Sequence, residues 1–244
     1  MSWFEALILG IIQGLTEFLP VSSSGHLEIG SVLLKTESSD NLLFAIVVHL
    51  ATALATIVVF KNDIVVILRD LLKLQWNDST KFVVKICLSM IPVFVVGIFF
   101  KDQIESLFIG NLVLVGAMLL ITGCLLLFAH FKKDGDRSVG YASALVVGVA
   151  QALAVLPGIS RSGATISTAL ILGIERSKAA RFSFLMVLLP ILGASLLQVK
   201  DYIEEPAAHS IDTASLITGF FAAFTSGFIA CKWMLKIVKK GKLT

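Results

Sequence analysis

The sequence predicts an all-α polytopic membrane protein built from inverted repeats, with about five to six transmembrane helices and two re-entrant helical hairpins. Three observations carry this reading. Hydrophobic residues make up 57% of the 244-residue chain and charged residues 15%, with a mean hydropathy of +0.92, which leaves too little polar material to cover a soluble globule of this size. Apolar stretches near 42–60, 82–100, 111–131, 182–199 and 214–231 each approach the ~20 residues a helix needs to cross the hydrocarbon. An offset of 138 residues then pairs Gly10 with Gly148, Gln13 with Gln151 and Gly25 with Gly163, while Pro20 and Pro157 slip by one.

The elements follow in order. Segments 3–34 and 139–174 each read as two short helices around a Pro/Ser/Gly break, too interrupted to cross cleanly. Such breaks survive at membrane depth only when buried in protein or facing water. Phe44 and Phe182, also 138 apart, extend the repeat into the following span. The stretch Asn62 to Leu74 is shorter and amphipathic and precedes Trp76, which suits an interfacial helix; a sixth span is the alternative. The whole chain is read as one integral membrane domain, its first repeat 1–131 and its second 139–244.

Orientation comes from the basic residues. If both hairpins return to their own side, one face receives 61–81, 132–138, 175–181 and the tail after 231, with fifteen of the twenty Lys and Arg. The other face receives only Lys35, Lys101 and Lys200. The positive-inside rule puts the N-terminus outside and the C-terminus in the cytoplasm. Three spans then separate the hairpins, and an odd number inverts the repeats, so the two polar tips can meet inside the protein. The first cation is Lys35, so no removable targeting segment is expected. Lys236, Lys239, Lys240 and Lys242 read as an inside anchor near anionic lipid, with no nucleic-acid partner expected. Cys87, Cys124 and Cys231 lie far apart without metal or disulfide spacing and read as small core residues.

The chemistry concentrates in the two breaks. Gln13 and Glu17 stand at i, i+4 on one helix face, and an intramembrane Glu is expensive unless it has a partner and a function. The plain alternative is a solvated or capping Glu17 near the interface. Ser22, Ser23 and Ser24 precede Gly25 and a new helix, where free N–H groups favour an anion. Gly158, Ser160, Ser162, Gly163 and Thr165 offer the same from the second hairpin. Arg161 adds forked donors that match phosphate oxygens. Close helix packing would also explain the small residues, but it leaves Glu17, His26 and Arg161 without a purpose. His26 is a candidate general acid or base. His49, whose repeat counterpart is Val187, reads as a hydrogen-bonded residue of the core or one that supports the site from behind, rather than a catalytic one, and His130 and His209 as surface residues.

With those residues in view, QGLTEFLPVSSSGH (residues 13–26) and PGISRSGAT (residues 157–165) resemble the two signature regions of the bacitracin-resistance family of undecaprenyl-diphosphate phosphatases. The resemblance covers essentially the whole chain. It implies hydrolysis of undecaprenyl diphosphate to the monophosphate, with the polyprenyl diphosphate lipid as partner, residence in the bacterial cytoplasmic membrane and a homodimer left open. It also implies dependence on Mg2+ or Ca2+, with Glu17 as the candidate metal ligand; Gln13, where the family writes Glu or Gln, removes one charge from such a site. By resemblance Ser23 is the nucleophile, with Glu17 or His26 as base and Arg161 clamping phosphate. Attack by His26, or by water activated by Glu17, remains the rival. The competing function is an anionic-lipid flippase or transporter using the same pocket; a scaffold without chemistry leaves the duplicated polar motif unexplained.

Overall fold

The computed structural model describes residues 1–36, 38–100, 103, 112–132, 135–193 and 211–239, the backbone alone for 38–42 and 239. Every named element is helical: α1 Trp3–Phe18, α2 Ser23–Leu34, α3 Ser38–Val59, α4 Lys61–Leu71, α5 Asp78–Phe99, α6 Leu112–His130, α7 Tyr141–Leu153, α8 Arg161–Ile171, α9 Arg176–Met186 and α10 Thr213–Lys239. Both expected helix–break–helix units are present, as α1/α2 and α7/α8. By length and composition Asp78–Phe99, Leu112–His130 and Thr213–Val238 suffice to cross a membrane. Leu43–Val59 and Lys61–Leu71 make a fourth if the pair is one span, bent by 76°. The span expected over 182–199 begins in α9 and runs beyond the described residues; so do His209, Lys101 and Lys200.

The bend after α3 separates an apolar helix from an amphipathic one. α4 leaves Val65, Val66 and Leu68 more than half exposed beside Lys61 and Arg69, as a helix lying along an interface does. Arg181 of α9 reaches back to it, Nε 2.7 Å from Asp63 Oδ1, with its guanidinium over the Phe82 ring. Main-chain bonds from Glu175 N to Arg137 O and from Arg137 N to Gly173 O join a third basic segment, 132–138, to the start of 175–181. Three of the four basic segments assigned to one membrane face are thus neighbours in space.

Small residues set the packing. α1 packs most extensively on α10, and α7 on α5. In the first pair a methyl added to Gly10 would lie 2.6 Å from Gly219 O, and one on Gly14 would lie 2.6 Å from Ala223 O. In the second, a methyl on Gly148 would lie 2.3 Å from Ser89 O. Lipid supplies no hydrophobic drive between helices, so dispersion across such close backbones must hold them. The repeat-related phenylalanines are both buried. Phe44 fills the notch left by Gly219, whose added methyl would sit 2.3 Å from its ring, and Phe182 stacks edge-on against Phe82.

Gly148→Leu is expected to push α7 off α5 and destabilise the protein by ~1–3 kcal/mol or more, the overpacking range. Gly97→Ala, where an added methyl meets nothing within 4 Å, is expected to be neutral or mildly stabilising. Thermal unfolding in detergent followed by size-exclusion fluorescence compares the two; equal melting temperatures would refute the packing account.

Candidate active site

Each half of the site starts from a helix that must stop. Pro20 biases Leu19 to an extended backbone (φ −70°, ψ 141°), which ends α1. Ser22 then takes a left-handed φ of 68° and caps α2, its Oγ accepting from Gly25 N at 3.4 Å. A non-glycine residue held there is strained and persists because its surroundings over-determine it. The second break repeats this geometry without the strained serine. Gly158 carries the positive φ of 93° instead, and Ser160 caps α8 by accepting from Gly163 N at 3.1 Å. Ser22 with Ser24, and Ser160 with Ser162, each lie 3.3 Å apart through their hydroxyls. Two helix N-termini with free N–H groups result.

The breaks meet. A methyl on Gly25 would lie 3.2 Å from Gly158 Cα and 3.2 Å from Val115 of α6, and one on Gly158 would lie 2.5 Å from Val115 O. Thr122, also of α6, accepts from Ser160 N at 3.0 Å and is placed to donate to Gly158 O at 3.3 Å. That single hydroxyl pins the second break. Thr122 escaped sequence reasoning, although it is the one hydroxyl in an otherwise apolar helix.

At the end of α1, Glu17 is the centre of a hydrogen-bond cluster. Its Oε2 accepts from Ser23 Oγ at 2.6 Å and from Gln13 Nε2 at 2.9 Å. His49 Nε2 lies 3.7 Å from the same oxygen. The opposite ring nitrogen, Nδ1, is 2.8 Å or less from a main-chain carbonyl, that of Ala45 at 2.7 Å, which can only accept; Nδ1 therefore carries the proton. Of the two readings the sequence leaves for His49, core residue or support for the site, the fold combines both: it anchors itself within α3 and faces the carboxylate. His26 is held by a 2.8 Å contact between Nδ1 and Ser22 O.

One cavity gathers residues from both breaks: Glu17, Arg161, Ser162 and Thr165, joined by Thr52 and Thr56 of α3 and Ser183 of α9. Phe18, Phe184, Val187 and Ile191 supply its apolar wall. Of the residues singled out in the sequence, Gln13 and Ser23 reach this cavity through Glu17. Ser22, Ser24, Gly25, Gly158, Ser160 and Gly163 build the breaks rather than the wall, and His26 does not line it. Ser162 Oγ comes within 3.5 Å of Glu17 O and 3.4 Å of Leu19 O, stitching the second hairpin to the end of the first. The division is asymmetric at the repeat offset: Glu17 corresponds to Val155 and Arg161 to Ser23. One hairpin contributes the carboxylate and hydroxyl, the other the guanidinium.

Among the described residues no three His, Cys, Asp or Glu side chains cluster to hold a metal ion. The oxygens present do fit a shared one. Gln13 is fully buried and its Oε1 has no hydrogen-bond partner, an orphan acceptor one helical turn from the Glu17 carboxylate. Hard divalent cations take such carbonyl and carboxylate oxygens and complete their shell from phosphate and water.

The fold and site thus define an integral membrane protein whose two helix breaks meet beside a cavity that holds a carboxylate and a guanidinium, with a hydroxyl already bonded to the carboxylate. The chain belongs to the bacitracin resistance protein BacA family, whose model matches residues 6–244. It is 55% identical to an undecaprenyl-diphosphatase of Parabacteroides distasonis, covering 100% of this chain and 92% of the relative. The undecaprenyl-diphosphatase of Bacteroides thetaiotaomicron is 53% identical, over 100% and 93%. That of Methanobrevibacter smithii is 35% identical, over 100% and 92%.

His49→Ala is expected to cut turnover of the purified protein about tenfold or more, equivalent to ~1.4 kcal/mol, because Glu17 loses the ring that faces it. Turnover equal to wild type would show that His49 serves α3 alone.

Proposed function

We infer that this protein hydrolyses undecaprenyl diphosphate to undecaprenyl phosphate and phosphate, which returns the lipid carrier to cell-wall synthesis and lowers the target available to bacitracin. One observation carries the mechanism: Ser23 Oγ donates to Glu17 Oε2 at 2.6 Å, in a cluster that shares its cavity with Arg161. A hydroxyl bonded to a carboxylate is a nucleophile with its base in place.

In this reading Ser23 Oγ attacks the terminal phosphorus as its proton passes to Glu17. The anhydride P–O bond breaks, undecaprenyl phosphate leaves, and water then releases phosphate from the serine while Glu17 returns the proton. Arg161 and the N–H groups at the starts of α2 and α8 hold the charge that develops on the phosphoryl oxygens. Gln13 Nε2 keeps Glu17 turned towards Ser23. Glu17 and Gln13 Oε1 are the protein oxygens available to Mg2+ or Ca2+, which would supply further neutralisation of the diphosphate. The prenyl chain enters laterally from lipid past the apolar wall of Val187 and Ile191.

The basic segments that neighbour one another through Arg181–Asp63 and Arg137–Glu175 support a common cytoplasmic face. The bond from Ser215 Oγ to Met1 O at 3.1 Å supports the opposite face for the N-terminus. This orientation, with inverted repeats meeting at the pocket, is part of the proposal, as is residence in the bacterial cytoplasmic membrane.

Detergent-purified wild type is expected to release phosphate from undecaprenyl diphosphate when Mg2+ or Ca2+ is present. Arg161→Ala is expected to fall by roughly 10²–10³ in kcat, the cost of one charge-stabilising donor; near-normal activity would remove the clamp. Ser23→Ala should abolish turnover, and mass spectrometry of rapidly quenched wild type should find phosphate on Ser23. Substantial turnover of Ser23→Ala would exclude it as the obligatory nucleophile. Transfer of the lipid between leaflets without phosphate release by folded wild type would favour a flippase.

A further inference from the structure

Ser183 sits in the middle of α9, only 3% exposed, between the buried rings of Phe182 and Phe184. Its Oγ has no hydrogen-bond partner, not even the carbonyl of Ala179 one turn back, where a helical serine ordinarily donates. It also lines the cavity that holds Glu17 and Arg161.

The other hydroxyls of that wall are committed. Thr52 Oγ1 donates to His49 O at 2.9 Å, Thr56 to Thr52 O at 3.0 Å, and Thr165 to Arg161 O at 2.9 Å. Ser162 Oγ lies within reach of Glu17 O and Leu19 O. Each of these hydroxyls has its proton engaged by a main-chain carbonyl and keeps only lone pairs to offer. Lone pairs repel an oxyanion. Among the described residues of this wall Ser183 therefore supplies the hydroxyl proton that remains free, in a cavity that also holds the Arg161 guanidinium.

A buried polar group left unpaired costs folding free energy, and a ligand that pairs with it removes that cost. We propose that Ser183 Oγ donates a hydrogen bond to a phosphoryl oxygen bound beside Arg161, making it a substrate-binding residue of this pocket. The assignment rests on the phosphatase reading. The oxygen belongs either to the lipid diphosphate or to the released phosphate, and the two share one chemistry.

The hypothesis separates donor from packing in a way that can be measured. Ser167 of α8 is a matched control: it is fully buried and its Oγ is also unpartnered, but it lies outside the cavity wall. Full-length wild type, Ser183→Ala, Ser183→Cys and Ser167→Ala are compared in detergent for phosphate release from undecaprenyl diphosphate, inhibition by inorganic phosphate, and melting temperature.

Ser183→Ala should lose roughly ten- to a hundredfold in kcat/KM, the range for a hydrogen bond to a charged group. Its melting temperature should be unchanged or higher, since an unpaired hydroxyl has been replaced by a methyl. Ser183→Cys, close in size but a weak donor, should be similarly impaired, and Ser167→Ala should keep wild-type kinetics. Weakened inhibition by inorganic phosphate would put the contact on the departing phosphoryl group; unchanged inhibition with a raised KM would put it on the lipid-proximal phosphate.

The proposal is overturned if Ser183→Ala stays within twofold of wild type, if Ser183→Cys restores activity that Ser183→Ala lacks, or if Ser167→Ala falls equally. Failure of the wild type itself to release phosphate would be a different result: it would remove the hydrolase reading, and this assignment with it.

Discussion

The close contact between two broken helices governs this molecule. α1/α2 and α7/α8 each stop at a break whose main-chain N–H groups lipid could not satisfy. They are tolerable only because the breaks press on one another and on α6. Gly25 against Gly158, and Gly158 against Val115 O, allow an approach that any side chain would prevent. Thr122 then takes up Ser160 N and Gly158 O. The cavity that holds Glu17, Arg161, Ser162 and Thr165 lies beside this contact, so the packing of the breaks also positions the candidate site.

The surrounding helices transmit that constraint. α1 can present Glu17 at a fixed height only because Gly10 and Gly14 let it seat on α10, and α7 seats on α5 through Gly148 in the corresponding way. Each hairpin thus leans on a helix from the other half of the chain. A pocket assembled across such contacts brings Glu17 and Arg161 together although they stand 144 positions apart in the sequence.

The pocket is electrostatically lopsided, and this shapes its chemistry. At the 138-residue offset the two breaks differ, with Val155 where the first has Glu17 and Ser23 where the second has Arg161. A symmetric pair of carboxylates would repel a diphosphate, and a symmetric pair of arginines would bind it without offering a base. The difference leaves one acid–hydroxyl pair and one guanidinium. The buried counterpart of Gln13 shows the other side of this: Gln151 Nε2 finds only Met90 Sδ, at 3.8 Å, and Gln151 has no carboxylate four residues on.

Much was legible in the chain itself. Hydropathy and periodicity revealed a helical membrane protein, the 138-residue offset revealed two related breaks, and residue chemistry marked Glu17, Ser23 and Arg161. These are local properties: a proline stops a helix, a serine caps the next, and an ion in an apolar segment requires a reason. Position in three dimensions decided the rest. His49, Thr122 and Ser183 carry no distinctive spacing. A histidine, a threonine and a serine in apolar helices look alike whether they face lipid, core or cavity. Only packing shows that His49 faces Glu17, that Thr122 holds the second break, and that Ser183, among the described residues of the wall, keeps an uncommitted proton. His26 lies off this cavity wall, its Nδ1 2.8 Å from Ser22 O. Sequence determined where the backbone must break and which ions sit there; tertiary structure decided which hydroxyls are free, because that depends on the neighbouring carbonyls each one meets.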